Sequence, residues 1–438
     1  MTELLRYLIE TFPHGLTGKG WDVKSLSFNP FLPWDLVEKN PEGLNGEAWY
    51  MTELSYNRSL PWDLVERHPE GFNDEPWNMS GLSSNPSLSW DFVEKNLQGL
   101  NGNPWDVFNL SRNPSLCWNF LEKHSEGLNE QPWNVEELSS NPSISWDFVE
   151  RHLEGLNGQP WNMLELSSNP FISWDFVERH PQGLNQPWNM WNLSHNLSLS
   201  WDFVERHLEG LNGCSWDMNG LSFSRCLSWD FVQKNPQGIN GRPWDMISLS
   251  SNPTLPQDFV EQNPQGFDGR SWDVWSLSNN PSLCWDLVEK YPEGLNGESW
   301  NMLNLSSNPS LSCDFLEKHS EGINGQPWDI LKLSYNWSLP WDFIEKNLEG
   351  LSKQPWQVKG LSSNLSLSWD FVEKNPQGFN GQSWDMENLS RNSSLPWMFV
   401  VSHPEGLNGV EWNNKSISRI PYKGQVPGRN IKSSRFVN

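Results

Sequence analysis

The hydrophobic positions of this chain recur with a period of 28 residues. In the copy at 141–168, NPSISWDFVERHLEGLNGQPWNMLELSS, Trp146 and Val149 lie three residues apart, which places both on one face of a helix. Ser145 precedes them as a helix cap, and in many other copies a proline directly follows the segment. Because the residue before proline is pushed out of helical geometry, the segment should end there. Each period is therefore predicted to begin with a short first helix.

The second half of the period predicts a turn followed by a second helix. The string Gly155-Leu-Asn-Gly158 readily supplies the positive φ angles of a tight turn. Pro160 is expected to open the second helix at its first position, where a missing N–H costs nothing. Met163 and Leu166 would share the inner face of that helix, and the variable residues between them would face solvent. Helices of about two turns do not persist alone in water, so stacking must stabilise them.

Tryptophan marks the same period in two series, one in each half of the repeat. These positions are expected to form structural ladders between repeats, and their best examples are Trp34, Trp62, Trp90, Trp146 and Trp174 in the first series and Trp49, Trp77, Trp105, Trp133 and Trp161 in the second. A fixed period of this size is typical of tandem-repeat proteins. The pattern predicts an all-α solenoid of about 14 two-helix repeats of ~28 residues.

Three further tryptophans lie off both series, at variable positions of the repeat. They are Trp191, Trp275 and Trp337. Constant tryptophans flanked by apolar neighbours are expected in the core, whereas these three are candidates for exposed contacts.

A leucine-rich-repeat horseshoe is the alternative fold. The string Leu166-Ser-Ser-Asn169 resembles part of that motif, and 28 residues is an allowed period. A strand there would need an apolar residue two positions before the leucine, and this position holds residues as different as Glu136 and Trp191. Helical spacing is therefore favoured.

The ends of the chain depart from the repeat. Residues 1–20 align with only part of a copy, with Arg6 at the position of the first tryptophan, and are predicted to be an N-terminal half-repeat cap. Residues 21–412 form the predicted solenoid. Residues 413–438 are predicted to be a flexible tail, and their charged residues are all basic: Lys415, Arg419, Lys423, Arg429, Lys432 and Arg435.

The net charge of −24 limits the classes of partner. All 54 acidic residues lie at or before Glu411, so the solenoid should repel phosphate backbones and anionic membranes. A solvated tail is the simplest interpretation of residues 413–438. Contact with nucleic acid, or with an acidic partner such as the body of another copy, is the alternative.

The residue patterns of catalytic and metal sites are not found in the sequence. Seven of the nine histidines, among them His152 and His180, occupy one repeat position where Asn40 or Asn235 stands in other copies. Metal coordination or base catalysis would not tolerate that exchange, and a role at the helix end fits both residues. No phosphate-binding loop, catalytic triad or zinc pattern occurs. We expect no catalytic residue, no metal ligand and no cofactor, and hence no enzyme.

The repeat resembles one found in proteins of large nucleocytoplasmic DNA viruses. The strings that carry the resemblance are Asn-Pro-Ser-Leu-Ser-Trp-Asp-Phe-Val-Glu-Lys-Asn-Pro and Pro-Trp-Asn-Met-x-x-Leu-Ser-Ser-Asn-Pro, which cover residues 21–412. These Trp-rich Asn-Pro and Pro-Trp-Asn repeat proteins have no known function, so the resemblance implies a viral origin and no catalytic residue.

Location and function follow as expectations. Five scattered cysteines indicate a reducing compartment, and no segment has the composition of a signal peptide or a membrane span. An intracellular protein of the host cytoplasm or the virion is therefore expected. The expected function is a non-enzymatic scaffold that binds partner proteins of unknown identity. The alternatives are a structural component of a virus particle and a glycan-binding surface formed by exposed tryptophans.

Overall fold

A computed structural model describes residues 2–256 and 258–420, and the regular elements in this part of the chain are all helices. No strand is formed by the described residues. The all-α prediction is confirmed. The horseshoe alternative is wrong, because the segment that would have to be a strand is the helix Met163–Ser168.

The helices alternate between the two halves of the repeat. The first helix of the chain is α1 (Thr2–Thr11). The first helices of the repeats are α3 (Trp34–Lys39), α5 (Trp62–Arg67), α7 (Trp90–Lys95), α9 (Trp118–Lys123), α11 (Trp146–Arg151), α13 (Trp174–Arg179), α15 (Trp201–Arg206), α17 (Trp229–Lys234), α19 (Phe259–Gln262), α21 (Trp285–Lys290), α23 (Cys313–Lys318), α25 (Trp341–Lys346), α27 (Trp369–Lys374) and α29 (Trp397–Ser402).

The second helices come between them and are equally short. They are α2 (Val23–Ser27), α4 (Met51–Ser55), α6 (Met79–Ser84), α8 (Val107–Ser111), α10 (Val135–Ser140), α12 (Met163–Ser168), α14 (Met190–Ser194), α16 (Met218–Phe223), α18 (Met246–Ser251), α20 (Val274–Asn279), α22 (Met302–Ser307), α24 (Ile330–Tyr335), α26 (Val358–Leu361), α28 (Met386–Arg391) and α30 (Asn414–Arg419).

The first helix begins as its sequence predicts. In α11 the Ser145 hydroxyl accepts a hydrogen bond from the Phe148 amide, at 3.2 Å, and so satisfies one open N–H of the first turn. The helix ends at His152, whose φ of −126° is no longer helical. The predicted cap is confirmed in this repeat, and the end predicted from a following proline is confirmed in α3, which stops at Lys39, before Asn40 and Pro41.

The turn between the two helices requires glycine at one place. Leu156 and Gln159 exchange two backbone hydrogen bonds, of 3.0 and 2.8 Å, around Asn157 and Gly158, whose φ angles are both positive. Just before them, Gly155 has a φ of +94°, and a Cβ atom there would lie 1.9 Å from the Gln159 carbonyl oxygen. A side chain at Gly155 would therefore collide with the backbone segment that closes the turn.

The second helix starts later than the sequence predicts. Pro160 was expected at its first position, but α12 begins at Met163. The side chain of Asn162 accepts hydrogen bonds from the amides of Leu164 and Glu165, so asparagine is the N-cap. The indole Nε1 of Trp161 donates to the His152 carbonyl at 2.6 Å and holds the preceding segment outside the helix.

The chain divides into two compact units. Unit 1 consists of Met1–Ser89, Leu100–Asn103 and Trp356–Asn438, and unit 2 of Trp90–Gly99 and Pro104–Pro355. In unit 2 the core is the column of residues between consecutive repeats, where Val149 and Leu166 are fully buried. Unit 1 has the same core, with Val65 and Leu54 at the equivalent positions.

Unit 1 contains a junction between the first and the last repeat, which we call the terminal junction (residues 20–29 and 413–420). The Asp22 amide donates to the Ser418 hydroxyl at 3.1 Å, and the Asn29 side chain donates to the Ser418 carbonyl at 3.2 Å. Consecutive repeats make the same two contacts, for example from Asn162 and Asn169 to Ser139. The two ends of the described chain therefore join as neighbouring repeats do.

The structure describes part of each end segment that the sequence predicts, the cap at residues 1–20 and the tail at residues 413–438. Residues 414–419 of the segment predicted to be a tail form α30, and Ile417 and Ile420 are buried. Residues 421–438 lie outside the described residues. In the predicted N-terminal cap, Tyr7 and Phe12 pack against Trp397, with ring centroids 6.1 and 6.2 Å apart, so this segment has a packing neighbour.

Candidate functional site

A ladder of buried asparagines connects the repeats. The side chain of Asn169 donates to the carbonyls of Ser139 and Asn141 in the preceding repeat, at 3.3 and 2.9 Å, and accepts from the amide of Phe171 at 3.0 Å. The buried members of this asparagine ladder are Asn29, Asn57, Asn85, Asn113, Asn141, Asn169, Asn196, Asn252, Asn280, Asn308, Asn336, Asn364 and Asn392. The repeat pattern of the sequence did not predict this role for the asparagine.

A buried serine links each second helix to the next. The Ser139 hydroxyl donates to the Val135 carbonyl at 2.7 Å and accepts from the amide of Asn162 at 3.0 Å. Because its donor and its acceptor are both used, the hydroxyl can be fully buried without cost from an unpaired group. The constant occurrence of serine at this repeat position was the signal in the sequence that could have predicted this role.

The two tryptophan series occupy different environments. In the second series Trp105 and Trp133 are 0% exposed, and each indole donates to the carbonyl nine residues earlier. In the first series Trp146 is partly exposed; its indole donates to the Phe171 carbonyl of the next repeat, and its ring lies 5.1 Å from that of Phe176. Both series therefore serve packing, one within and one between repeats.

The histidines lie beside carboxylates of the preceding repeat. Glu150 is 2.6 Å from the Arg179 guanidinium and 3.1 Å from His180 Nε2. The same arrangement, which we call the Glu–Arg/His ladder, involves Glu38, Glu94, Glu122, Glu150, Glu178 and Glu289 with the basic residue and the histidine of the next repeat. The hydrogen bond from Arg151, together with that from His152, lowers the pKa of Glu122.

The exchange of histidine for asparagine has a physical explanation. The group at this position that the fold uses is the backbone carbonyl, which accepts the indole N–H of the tryptophan nine residues later both at His152 and at Asn96. The side chain adds either a contact to the glutamate or, as in Asn96, a hydrogen bond to its own helix. The repeat pattern predicts the helix-end role but gives no sign of the glutamate partner.

Unit 2 exposes a column of large apolar side chains. They lie on second helices, three residues after a second-series tryptophan, and are between 46% and 60% exposed. The members of this exposed apolar column are Phe108, Leu164, Trp191, Ile247, Trp275, Leu303 and Leu331, with Glu136 and Asn219 at the two remaining positions. In unit 1 the equivalent residues are polar: Lys24, Thr52, Ser80, Lys359, Glu387 and Lys415.

The second helices of consecutive repeats lie in direct contact along the column. Asn192 donates to the Leu164 carbonyl at 2.9 Å, and Asn304 donates to the Trp275 carbonyl at 3.1 Å. Small residues make this approach possible, because a Cβ atom on Gly220 would lie 2.6 Å from the His195 ring. In unit 2 the second helices of consecutive repeats pack more closely on each other than the first helices do.

The three tryptophans off the series are all exposed. Trp191 and Trp275 belong to the exposed apolar column, whereas Trp337 is 69% exposed at a different repeat position, directly after Asn336. Their role as contacts stays a prediction.

Other chemical features of the described residues are few. An open cavity of about 400 Å³ near the terminal junction is lined by Arg391, Lys415 and Arg419, but Arg391 pairs with Glu387 and Arg419 donates to Ser25. Within residues 2–256 and 258–420 no cluster of histidine, cysteine and acidic side chains could hold a metal ion. None of the helices described is long and apolar enough to cross a membrane.

The comparisons with known proteins add no relative. No protein-family model, no curated protein and no solved structure matches the chain, so the resemblance to viral repeat proteins stays a prediction.

Proposed function

We propose that this protein is a non-enzymatic scaffold of about 14 repeats that binds partner proteins through the exposed apolar column of unit 2. The observation that carries the proposal is the contrast between the units. One repeat position is apolar at Leu164, Trp191 and Trp275 but polar at Lys24 and Lys359. A repeat that needs only solubility has no reason to keep large apolar residues at an exposed position in one unit alone.

The size of the column fits a protein interface. If each of its seven side chains leaves on the order of 100 Å² exposed, the column offers roughly 700 Å² of apolar surface. A stable protein–protein interface buries about 800 Å² on each partner.

A glycan-binding surface is the second candidate, and the exposed indoles favour it. Trp191 and Trp275 present flat apolar faces beside polar groups such as Asn192. A glycan array probed with the full chain tests this candidate. Signals that disappear in Trp191→Ser or Trp275→Ser would support it.

Affinity purification of the tagged full chain from its native cellular context tests the scaffold. The wild type is compared with the double variant Trp191→Ser/Trp275→Ser and with Trp337→Ser, a matched change of an exposed tryptophan outside the column. We expect a reproducible set of proteins that the double variant loses and the control retains. The same set from both variants would contradict the proposal, and recovery only with virus-particle proteins would favour a structural role.

A further inference from the structure

Carboxylates interrupt the exposed apolar column at one end only. We call this region the acidic apolar patch; it consists of Phe108, Glu136, Glu137, Leu164, Glu165 and Trp191, on α8, α10, α12 and α14. Farther along, Ile247, Trp275 and Leu303 have the uncharged neighbours Ser248, Ser276 and Asn304, and the last member, Leu331, is followed by Lys332. The column therefore has one half with carboxylates and one half without them.

Nearby cations compensate little of the negative charge on the carboxylates of the patch. Glu137 lies 3.9 Å from the Arg112 guanidinium, at the outer limit of an ion pair. Among the described residues, no cation lies within 4 Å of the side chain of Glu136 or Glu165. By contrast, Glu150 on the first helix α11 pairs with Arg179. A ligand for the patch should accordingly combine positive charge with large apolar side chains.

Residues 421–438 of this chain have that composition. Their charged residues are Lys423, Arg429, Lys432 and Arg435, and none is acidic. Apolar residues alternate with these cations: Val426, Ile431, Phe436 and Val437. Fully extended, these 18 residues would reach about 60 Å, enough to cross several repeats.

We propose that the acidic apolar patch of one copy binds residues 421–438 of a second copy. The proposal rests on the proposed function, since it assigns a partner to the same exposed column. Opposite charge speeds the encounter and orients the segment, and burial of Ile431 and Phe436 against Leu164 and Trp191 supplies the contact area. A contact between different surfaces of two copies is heterologous, so association should continue beyond a dimer unless the geometry closes.

The test uses a fluorescent synthetic peptide of residues 421–438 and the full chain, with binding followed by anisotropy. We expect saturable binding that Leu164→Ser/Trp191→Ser weakens at least tenfold. The matched control is Ile247→Ser/Trp275→Ser in the half without carboxylates, which should bind the peptide within about twofold of the wild type. Because exposed charges contribute, binding should also weaken as salt rises from 0.05 to ~0.3 M.

Two altered peptides separate the contributions of charge and apolar contact. Replacing the four basic residues by glutamate, or Ile431 and Phe436 by serine, should each weaken binding at least tenfold. Equal binding of the serine peptide would show a nonspecific charge effect and overturn the proposal. Equal binding to the Leu164→Ser/Trp191→Ser chain, or no binding of the native peptide, would overturn it as well.

Sedimentation velocity of the full chain gives the second readout. We expect the mean mass to rise with concentration and to fall when excess peptide is added; a mass independent of both would contradict the proposal. The scaffold function has a test of its own, the loss of captured proteins in Trp191→Ser/Trp275→Ser. The two proposals can therefore fail independently. A peptide that does not bind, together with captured proteins that depend on the column, would leave the scaffold in place and remove only this partner.

Discussion

At the scale of single residues, small polar side chains do as much as tryptophan to hold the repeats together. Asn280 donates to the carbonyls of Ser250 and Asn252 and accepts from the amide of Ser282. Each asparagine of the ladder thus forms hydrogen bonds with backbone groups that have no partner within a helix. Because unpaired buried groups destabilise a protein more than a single hydrogen bond stabilises it, these positions tolerate little change.

Two adjacent asparagines provide a direct test of the ladder. Asn280→Ala should lower the free energy of unfolding by roughly 2–4 kcal/mol, since two carbonyls and one amide lose their buried partner. Asn279→Ala, at the exposed neighbouring position, should change it by less than about 0.5 kcal/mol. Urea unfolding followed by tryptophan fluorescence measures both. Equal midpoints for the two variants would contradict the importance of the ladder.

The turn offers a second comparison between neighbours. Gly155 and Gly158 both have positive φ, but a Cβ atom collides with the Gln159 carbonyl only at Gly155. Gly158→Ala should therefore cost about 1 kcal/mol, and Gly155→Ala clearly more. Thermal unfolding of the two variants checks the order. The structure of the turn would be in doubt if Gly158→Ala were the more destabilised.

At the scale of elements, each helix is too short to be stable and depends on its neighbours. Local signals set where α11 begins and ends, through Ser145 and His152. The start of α12 was mispredicted because proline at a first helical position and asparagine at an N-cap are both common signals. The contact between Trp161 and the His152 carbonyl decides between them, and that contact lies outside the helix itself.

The Glu–Arg/His ladder predicts a loss of stability in acid. Hydrogen bonds from Arg151 and His152 lower the pKa of Glu122, and those from His207 and Arg206 lower that of Glu178. A carboxylate with a lowered folded-state pKa stabilises the fold above its unfolded value, near 4.5, and loses this contribution as pH falls through the folded value.

Stability measured between pH 6 and 3 tests this prediction. We expect the midpoint of urea unfolding to drop most steeply below about pH 4.5, and the drop to be smaller in Glu122→Gln/Glu178→Gln. Glu321→Gln, a change of an exposed carboxylate outside the ladder, serves as the control and should follow the wild type. A double variant with the wild-type pH dependence would show that the ladder does not carry the effect.

At the scale of the whole molecule, the terminal junction gives the first and last repeats a neighbour each. Asp22 and Asn29 contact Ser418, and Asn414 donates to the Gly20 carbonyl at 2.8 Å. Trp21 and Trp412 are as buried as their counterparts inside the array. Because stability in repeat proteins is close to a sum over neighbour interfaces, one additional interface should protect both ends.

Hydrogen exchange tests the coupling of the two ends. Asn29→Ala removes the bond to the Ser418 carbonyl, so amides in residues 413–420 should exchange at least threefold faster, although they lie far away in sequence. Asn280→Ala is the control, since it should speed exchange around residues 250–282 and leave residues 413–420 unchanged. Unaltered exchange at 413–420 in Asn29→Ala would contradict the junction.

The sequence alone determined the features of this protein that depend on nearby residues. The period, the serine cap of the first helix, the turn glycines and the buried second-series tryptophans all follow from the sequence of the repeat, since a helix of six residues is specified by its own face and its own ends. The exposure of positions such as Leu164 was likewise predictable, because it lies between two inward residues of one helix.

Only the tertiary structure decided which groups meet between repeats. Three kinds of contact join residues 30 to 389 positions apart: the asparagine ladder, the contact between glutamate and histidine, and the approach of Ser418 to Asn29. Such contacts depend on the angle at which one repeat packs on the next, which results from many side chains packing at once. No local pattern encodes that angle, and the contacts that follow from it are therefore known only from the folded molecule.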